Sequence, residues 1–294
     1  VRPLWQQTAT ATGRLVCSNP NLQTIPRGQE GEEEEKSLRS LISCDMIKGE
    51  EDYYFILSDY SQIEMRILAD LSSDPCLIAA FEKKEDFFTE LSKEWMTSCT
   101  DTKAQRDIMK KLCYGYIYGQ GAARMAREMA KDVSEIYEKI NSFKRKYVGV
   151  ERLQAAVKGD CAKYGEVRTK SGRKRPLPDI NSPCKERVAE AERQAFNTVI
   201  QGTAADMIKQ AMIRLHTSLV LKKLKSSLVL QVHDELVLLV PEQEIPLIVP
   251  LIREAMEFPQ LKVSTPVVIK IGKTLATDDL DDFSSWTKKK NEKK

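Results

Sequence analysis

Leu228 to Val240 reads L-V-L-Q-V-H-D-E-L-V-L-L-V. Two apolar runs flank His233, Asp234 and Glu235, a separation that suits the tight turn of a β-hairpin. Upstream, Tyr53–Leu57 (Y-Y-F-I-L) reads as another buried strand, ended by Ser58 and Asp59. Ile63, Ile67, Leu68 and Leu71 follow at helical spacing, giving strand, turn and helix. Downstream, a helix is predicted over about Glu244–Glu257 and a further strand over Val267–Ile271 (V-V-I-K-I). From about Asp74 to Ile213 the pattern is mostly helical. Breaks are predicted at Gly115, Gly119, Gly121, Gly149, Gly159, Gly165 and Gly172, and at Pro176–Pro183. One long helix is predicted from Lys185 to Leu215, interrupted near Gly202. Val1–Pro26 reads as irregular. The glutamates at Glu30 and Glu32–Glu35 suit a solvated loop, and the charged end K-K-K-N-E-K-K suits a solvated tail. Strands near both ends with helices between them predict an α+β chain: a sheet-based domain with a helical insertion.

Composition narrows the classes. The chain has 294 residues, 41% hydrophobic and 30% charged, enough for a sizeable core. No run approaches the ~18 apolar residues of a membrane span, so no membrane partner is expected, and the first residues do not read as a signal peptide. Seven cysteines without a C-x-x-C pair argue against a zinc site or disulfide framework and for an intracellular, reducing compartment. His216 and His233 are the only histidines, which excludes a multi-histidine metal centre. The net charge is +3, so a nucleic-acid face must come from local clustering.

Three constellations could carry chemistry. Asp59 at a strand end and Asp234–Glu235 in a hairpin turn are carboxylates fixed by a sheet and open to solvent. Brought together they would repel unless a cation lay between them, and hard oxygen ligands suit Mg²⁺. Acids are also simply common in turns. The second is a stripe. Arg106, Lys110, Tyr114 and Tyr118 recur every four residues, which places two cations and then two aromatics on one slowly drifting helix face. A nucleoside triphosphate would suit that order, with phosphates on the cations and the base on the rings. A solvated basic face beside a packed aromatic end would show the same spacing. The third is Lys144–Arg187, which carries a net +8. It suits a phosphate backbone or a solvated surface. T-G-R at Thr12–Arg14 and N-L-Q-T-I-P at Asn21–Pro26 are weaker polar strings that could reach sugars and base edges.

Taken in order, T-A-T-G-R, N-L-Q-T-I-P, D-Y-S-Q-I-E, the R-x₃-K-x₃-Y-x₃-Y-G helix, Q-G-T-A-A-D and V-H-D-E-L resemble the family A DNA polymerases, the group of bacterial DNA polymerase I, from Thr8 to about Gly272. The resemblance implies an antiparallel palm sheet with flanking helices and an inserted helical fingers subdomain. The implied boundaries are palm at 1–71, fingers at 72–202, palm again at 203–280 and a charged tail at 281–294. The helical thumb and further domains would lie upstream, outside this chain. Implied partners are primer-template DNA and dNTPs, and implied cofactors are two Mg²⁺ ions, with Mn²⁺ as a substitute.

The family's roles map onto residues present here. Asp59, Asp234 and the carbonyl of Tyr60 match the metal ligands, and Glu235 the supporting acid. Gln62, Glu64, Arg106, Lys110 and Tyr114 match the dNTP set, with Glu64 as the steric gate against a ribose 2′-hydroxyl. Arg14, Tyr118, Gly119, Arg193, Asn197, Gln201 and His233 match template and primer contacts. Bacterial members usually carry Asp-Ile-His before the fingers helix. Asp86-Phe87-Phe88 here is similar to the eukaryotic theta and nu polymerases, which implies DNA repair and a nuclear location. Two other classes remain open: a non-catalytic nucleic-acid-binding fragment and a metal-dependent nuclease using the same acids.

Overall fold

The computed structural model describes residues 2–26, 38–46, 51–83, 85–95, 102–276 and 279–292. The predicted Glu30–Glu35 loop lies outside them. In chain order the elements are β1 (Leu4–Gln6), β2 (Val16–Ser18), β3 (Tyr53–Tyr60), α1 (Ile63–Ser72), α2 (Pro75–Glu82), α3 (Phe87–Trp95), α4 (Thr102–Ile117), α5 (Ala122–Met129), α6 (Val133–Lys146), α7 (Val148–Tyr164), β4 (Glu166–Arg168), β5 (Lys174–Pro176), α8 (Lys185–Asn197), α9 (Thr203–Leu221), β6 (Ser227–Val232), β7 (Glu235–Pro241), α10 (Ile245–Met256), β8 (Val267–Gly272), β9 (Asp281–Asp282) and α11 (Phe283–Glu292). They divide into two compact units. The first comprises Val1–Ile63, Ala204–Phe258 and Thr265–Lys294; the second comprises Glu64–Thr203 and Pro259–Ser264.

The first unit is built on an antiparallel sheet in the order β6-β7-β3-β8-β9. Apolar β3 sits centrally, bonded on one side to β7 and on the other to β8. Pairing on both sides carries it past Leu57 through Ser58 and Asp59 to Tyr60, three residues beyond the apolar run that predicted it. Alternation puts Phe55 and Leu57 on one face, in a cluster with Val237, Leu230, Val232, Cys44 and Leu275. Asp59 continues that face at its end and is partly exposed. On the other face Ile56 is fully buried. There α10, which packs against β7 and β8, contributes fully buried Ile248, Ile252 and Met256. Each such side chain is worth ~1.5–3 kcal/mol of burial. Buried Tyr60 donates its hydroxyl to the Met256 carbonyl at 2.7 Å, and desolvation drives its phenol well above the ordinary range.

Residues 281–292 of the charged end form a strand and a helix. β9 pairs with β8, and Trp286 of α11 stands edge-on to Tyr54 at 5.8 Å. Lys290 pairs with Glu242 at 2.7 Å. One tryptophan and its neighbours anchor a helix whose composition otherwise reads as tail.

In the second unit, Gly119, Gly121, Gly165 and Gly172 lie at helix ends or in turns, whereas Gly115, Gly149 and Gly159 lie inside α4 and α7. The predicted breaks at Gly115 and Gly159 do not occur, whereas the one at Gly149 falls two residues earlier, at Tyr147 between α6 and α7. Gly115 and Gly149 instead permit close approach: a Cβ on Gly115 would fall 2.5 Å from Met125 Sδ, and one on Gly149 2.8 Å from Asp74 Cβ. The β4–β5 hairpin is absent from the sequence expectation because its three-residue strands carry too little apolar pattern to read. The long predicted helix is α8, a π-helical turn at Thr198–Gly202, and α9.

Buried Asp74 caps two helices. Oδ1 accepts from Leu77 N of α2 at 2.9 Å and Oδ2 from Gly149 N of α7 at 2.7 Å. Asp74→Ala should therefore cost about twice a single cap, ~2–3 kcal/mol, with Asp74→Asn costing less. Urea titration reads this as a lower midpoint at unchanged slope. A loss equal to that of an exposed aspartate would refute the double cap.

Candidate active site

The β6–β7 register pairs Val232 with Glu235, leaving His233 and Asp234 as a two-residue turn. His233 takes φ 55°, the positive value such a turn requires at its first central position. Glu235 is thus a strand residue and not, as the sequence pattern suggests, part of the turn. It lies directly opposite Asp59 on β3. Facing residues of an antiparallel pair project to the same side, so Asp59 and Glu235 share a face, with Asp234 one residue away. Asp234 lies 3.9 Å from Arg14. Desolvation holds its carboxyl above the ordinary range, opposed by the positive charges of Arg14 and His233. Gln62, two residues after the Tyr60 carbonyl, also has positive φ, 56°. Two strained non-glycine residues beside two aspartates fit a functional site.

This donor set suits a hard cation. It offers two aspartate carboxylates and no thiolate. Among the described residues no group of three or more His, Cys, Asp or Glu side chains is arranged to hold a metal. A bound ion would complete its shell with substrate oxygens and water, as Mg²⁺ characteristically does.

Two glutamines that the sequence reading did not single out support the turn. Gln23 Nε2 donates to the Gln231 carbonyl at 3.2 Å and to Gln231 Oε1 at 3.1 Å, while its own Oε1 accepts from Cys17 N at 3.1 Å. Gln231 in turn donates to the His233 carbonyl. Their only sequence signal is the position of Gln231 just before the turn and of Gln23 within N-L-Q-T-I-P.

In the second unit the stripe lies along α4, with Tyr118 just past its end. Tyr114 and Tyr118 stack at 6.0 Å, and Phe88 of α3 lies 5.8 Å from Tyr114. Arg106 lies 5.9 Å from the Phe88 ring centre and forms a bidentate pair with Asp86 at 2.9 and 3.0 Å. Lys110 is exposed. Tyr118 donates its hydroxyl to the buried Glu64 carboxylate. Gly119, at φ 69°, packs against the stem of Arg193, whose guanidinium pairs with Glu190. Asn197 has a buried Oδ1 with no hydrogen-bond partner among the described residues. It immediately precedes the π turn, which contains Gln201. Such turns recur at functional sites.

The +8 of Lys144–Arg187 is partly neutralised locally. Lys158 pairs with Glu192 at 2.9 Å and Lys170 with buried Asp70 at 2.6 Å, both acids from outside the segment.

The first unit therefore gathers Asp59, Tyr60, Asp234, Glu235, His233 and Arg14 at one end of a hairpin. The second joins Glu64 to Tyr118 and Tyr114, Arg106 to Asp86, and Gly119 to Arg193. The acids of the first set have the chemistry that suits a cation; the cations and rings of the second have the chemistry that suits an anion and a base.

Comparison with known proteins points the same way. The family model for DNA polymerase family A matches residues 1–277. The thermostable DNA polymerase I of Thermus thermophilus is 35% identical over 272 residues, covering 91% of this chain and 31% of its own length. DNA polymerase theta of Mus musculus is 32% identical over 258 residues, covering 72% of this chain and 10% of its own. The chain thus spans less than a third of either relative's length. Among solved structures, the polymerase domain of Pol1 from M. smegmatis, in complex with DNA primer-template and dNTP, matches at a TM-score of 0.83 and 34% identity. That match covers 94% of this chain and 48% of that one. With the helix-and-sheet architecture, the order of the motifs and a family match over nearly the whole sequence in agreement, the chain belongs to DNA polymerase family A.

Proposed function

We propose that this chain forms the palm and fingers of a DNA polymerase that adds dNTPs to a primer 3′-hydroxyl under template direction, in nuclear DNA repair. The observation that carries this is the facing of Asp59 and Glu235 across β3–β7 with Asp234 in the adjoining turn. Asp59, Asp234 and the Tyr60 carbonyl would hold two divalent ions, Mg²⁺ or Mn²⁺, which when bound activate the attacking hydroxyl and stabilise the leaving pyrophosphate. Arg106 and Lys110 bind the triphosphate and Tyr114 stacks on the incoming nucleotide. Glu64, anchored by Tyr118, gates against a ribose 2′-hydroxyl, and Gln62 adjoins it in sequence. Arg14, Arg193, Asn197, Gln201, His233 and Gly119 meet template and primer. The likeness to a domain that carries primer-template and dNTP supports these assignments.

The test is primer extension with Mg²⁺ and all four dNTPs, comparing this chain with longer forms that carry residues upstream of it. Template-dependent extension by any form supports the proposal. DNA binding without extension would instead indicate a binding fragment, and dNTP-independent shortening of the primer a nuclease.

A further inference from the structure

Arg106 is not held by its own helix alone. Asp86 occupies the N-cap of α3, where Oδ1 accepts from Thr89 N at 2.9 Å and from the Thr89 hydroxyl at 3.0 Å. The same carboxylate receives Arg106 Nε on Oδ1 at 2.9 Å and Nη2 on Oδ2 at 3.0 Å. A carboxylate already fixed by a helix terminus thus fixes a guanidinium on the neighbouring helix, α4. Below that guanidinium lies Phe88, which continues through Tyr114 to Tyr118. The pairing uses two of arginine's five N–H donors. Nη1 lies 3.8 Å from the exposed Asp107 carboxylate, beyond hydrogen-bond distance, and the other three donors can turn to phosphate oxygens.

Both side chains are about one-third exposed, at 35% and 31%. An ion pair at that exposure adds little to stability. Its geometry does something else: a fork-to-fork pair fixes the plane and direction of a side chain that otherwise samples many rotamers. We propose that Asp86 is a positioning residue that presents Arg106 to the triphosphate of the incoming nucleotide. The charges agree with this, because the pair lowers the Asp86 pKa against desolvation and raises that of Arg106. The inference rests on the polymerase function proposed above.

The variant to make is Asp86→Ser. Serine keeps an N-cap acceptor for Thr89 N but cannot accept a bidentate guanidinium. Single-nucleotide extension is measured in the longest active form of the protein, alone and combined with Arg106→Ala. Asp86→Ser should raise KM for dNTP about 3- to 10-fold, the ordering cost of one long side chain, with kcat within about threefold. In the Arg106→Ala background the same change should move KM by less than about twofold, because its object is gone. Asp86→Asn, which preserves shape, should behave the same way and stands in if the serine variant folds poorly.

An active protein whose KM is unmoved or lowered by both variants overturns the inference alone, as does an equal effect in both backgrounds, which would place Asp86 in α3 stability. Absence of dNTP-dependent extension by the unsubstituted protein overturns the proposed function and this inference with it.

Discussion

Asp234→Asn should extend a primer about 10³-fold more slowly than the unsubstituted protein, and Asp59→Asn should do the same, because under the proposed function each loses a metal ligand and forfeits several kcal/mol of transition-state charge stabilisation. The fold should not suffer. Desolvation holds the Asp234 carboxyl above its ordinary pKa, against Arg14 and His233. A carboxyl whose pKa is higher folded than unfolded binds its proton more tightly in the folded state. Stability therefore falls as pH rises through that interval, and at neutral pH the ionised group is a net cost. Asparagine has no charge to desolvate, so the Tm at neutral pH without added metal should stay level or rise. A residue kept at the expense of stability is characteristic of a site selected for function. Calorimetry beside the extension assay separates the outcomes. A drop in Tm that accounts for the lost activity would make Asp234 structural, and a loss smaller than about tenfold would remove it from the reacting centre.

How much was legible in the sequence depended on how far apart the interacting residues are. The β6–β7 hairpin was plain because Leu228–Val232 and Leu236–Val240 are dense apolar runs around a short polar gap. The four-residue spacing from Arg106 to Tyr114 likewise describes α4 as it stands, and Tyr118 follows just past its end. Ser58 and Asp59 looked like a strand end because their strand character comes from pairing with β7 and β8, far away in the chain. Gly115 reads as a helix breaker, yet it lies inside α4 and clears space for Met125; Gly149, in the first turn of α7 after the break at Tyr147, clears space for Asp74. The double cap by Asp74 and the Asp86–Arg106 fork were hidden for the same reason: an acceptor carries no local sign of a donor on another helix. In α11 one tryptophan outweighs a run of lysines, and composition averages conceal a single anchor.

Gly119→Ala should be the most damaging single methyl in the second unit. Two separate strains act there. Gly119 has φ 69°, where an alanine costs ~1–2 kcal/mol. Its Cβ would also fall 2.6 Å from Arg193 Cγ and 2.9 Å from Cδ, an overlap worth a further ~1–3 kcal/mol unless the arginine moves. Relief by moving the arginine stem breaks the placement of its guanidinium; relief by moving the backbone disturbs Tyr118 and its hydrogen bond to Glu64. Either way, groups assigned here to template and nucleotide are displaced, and extension should fall about 10²-fold.

Gly121 supplies the control: two residues away, it has φ −71° and open space where a Cβ would sit, so Gly121→Ala should cost at most a few-fold. The two strains separate in an Arg193→Ala background. There the overlap is gone and the dihedral cost remains, so Gly119→Ala should cost about tenfold less than it does beside the native arginine. Equal costs in both backgrounds would assign the whole effect to the backbone and dismiss the contact with Arg193. Equal effects of Gly119→Ala and Gly121→Ala would dismiss both strains.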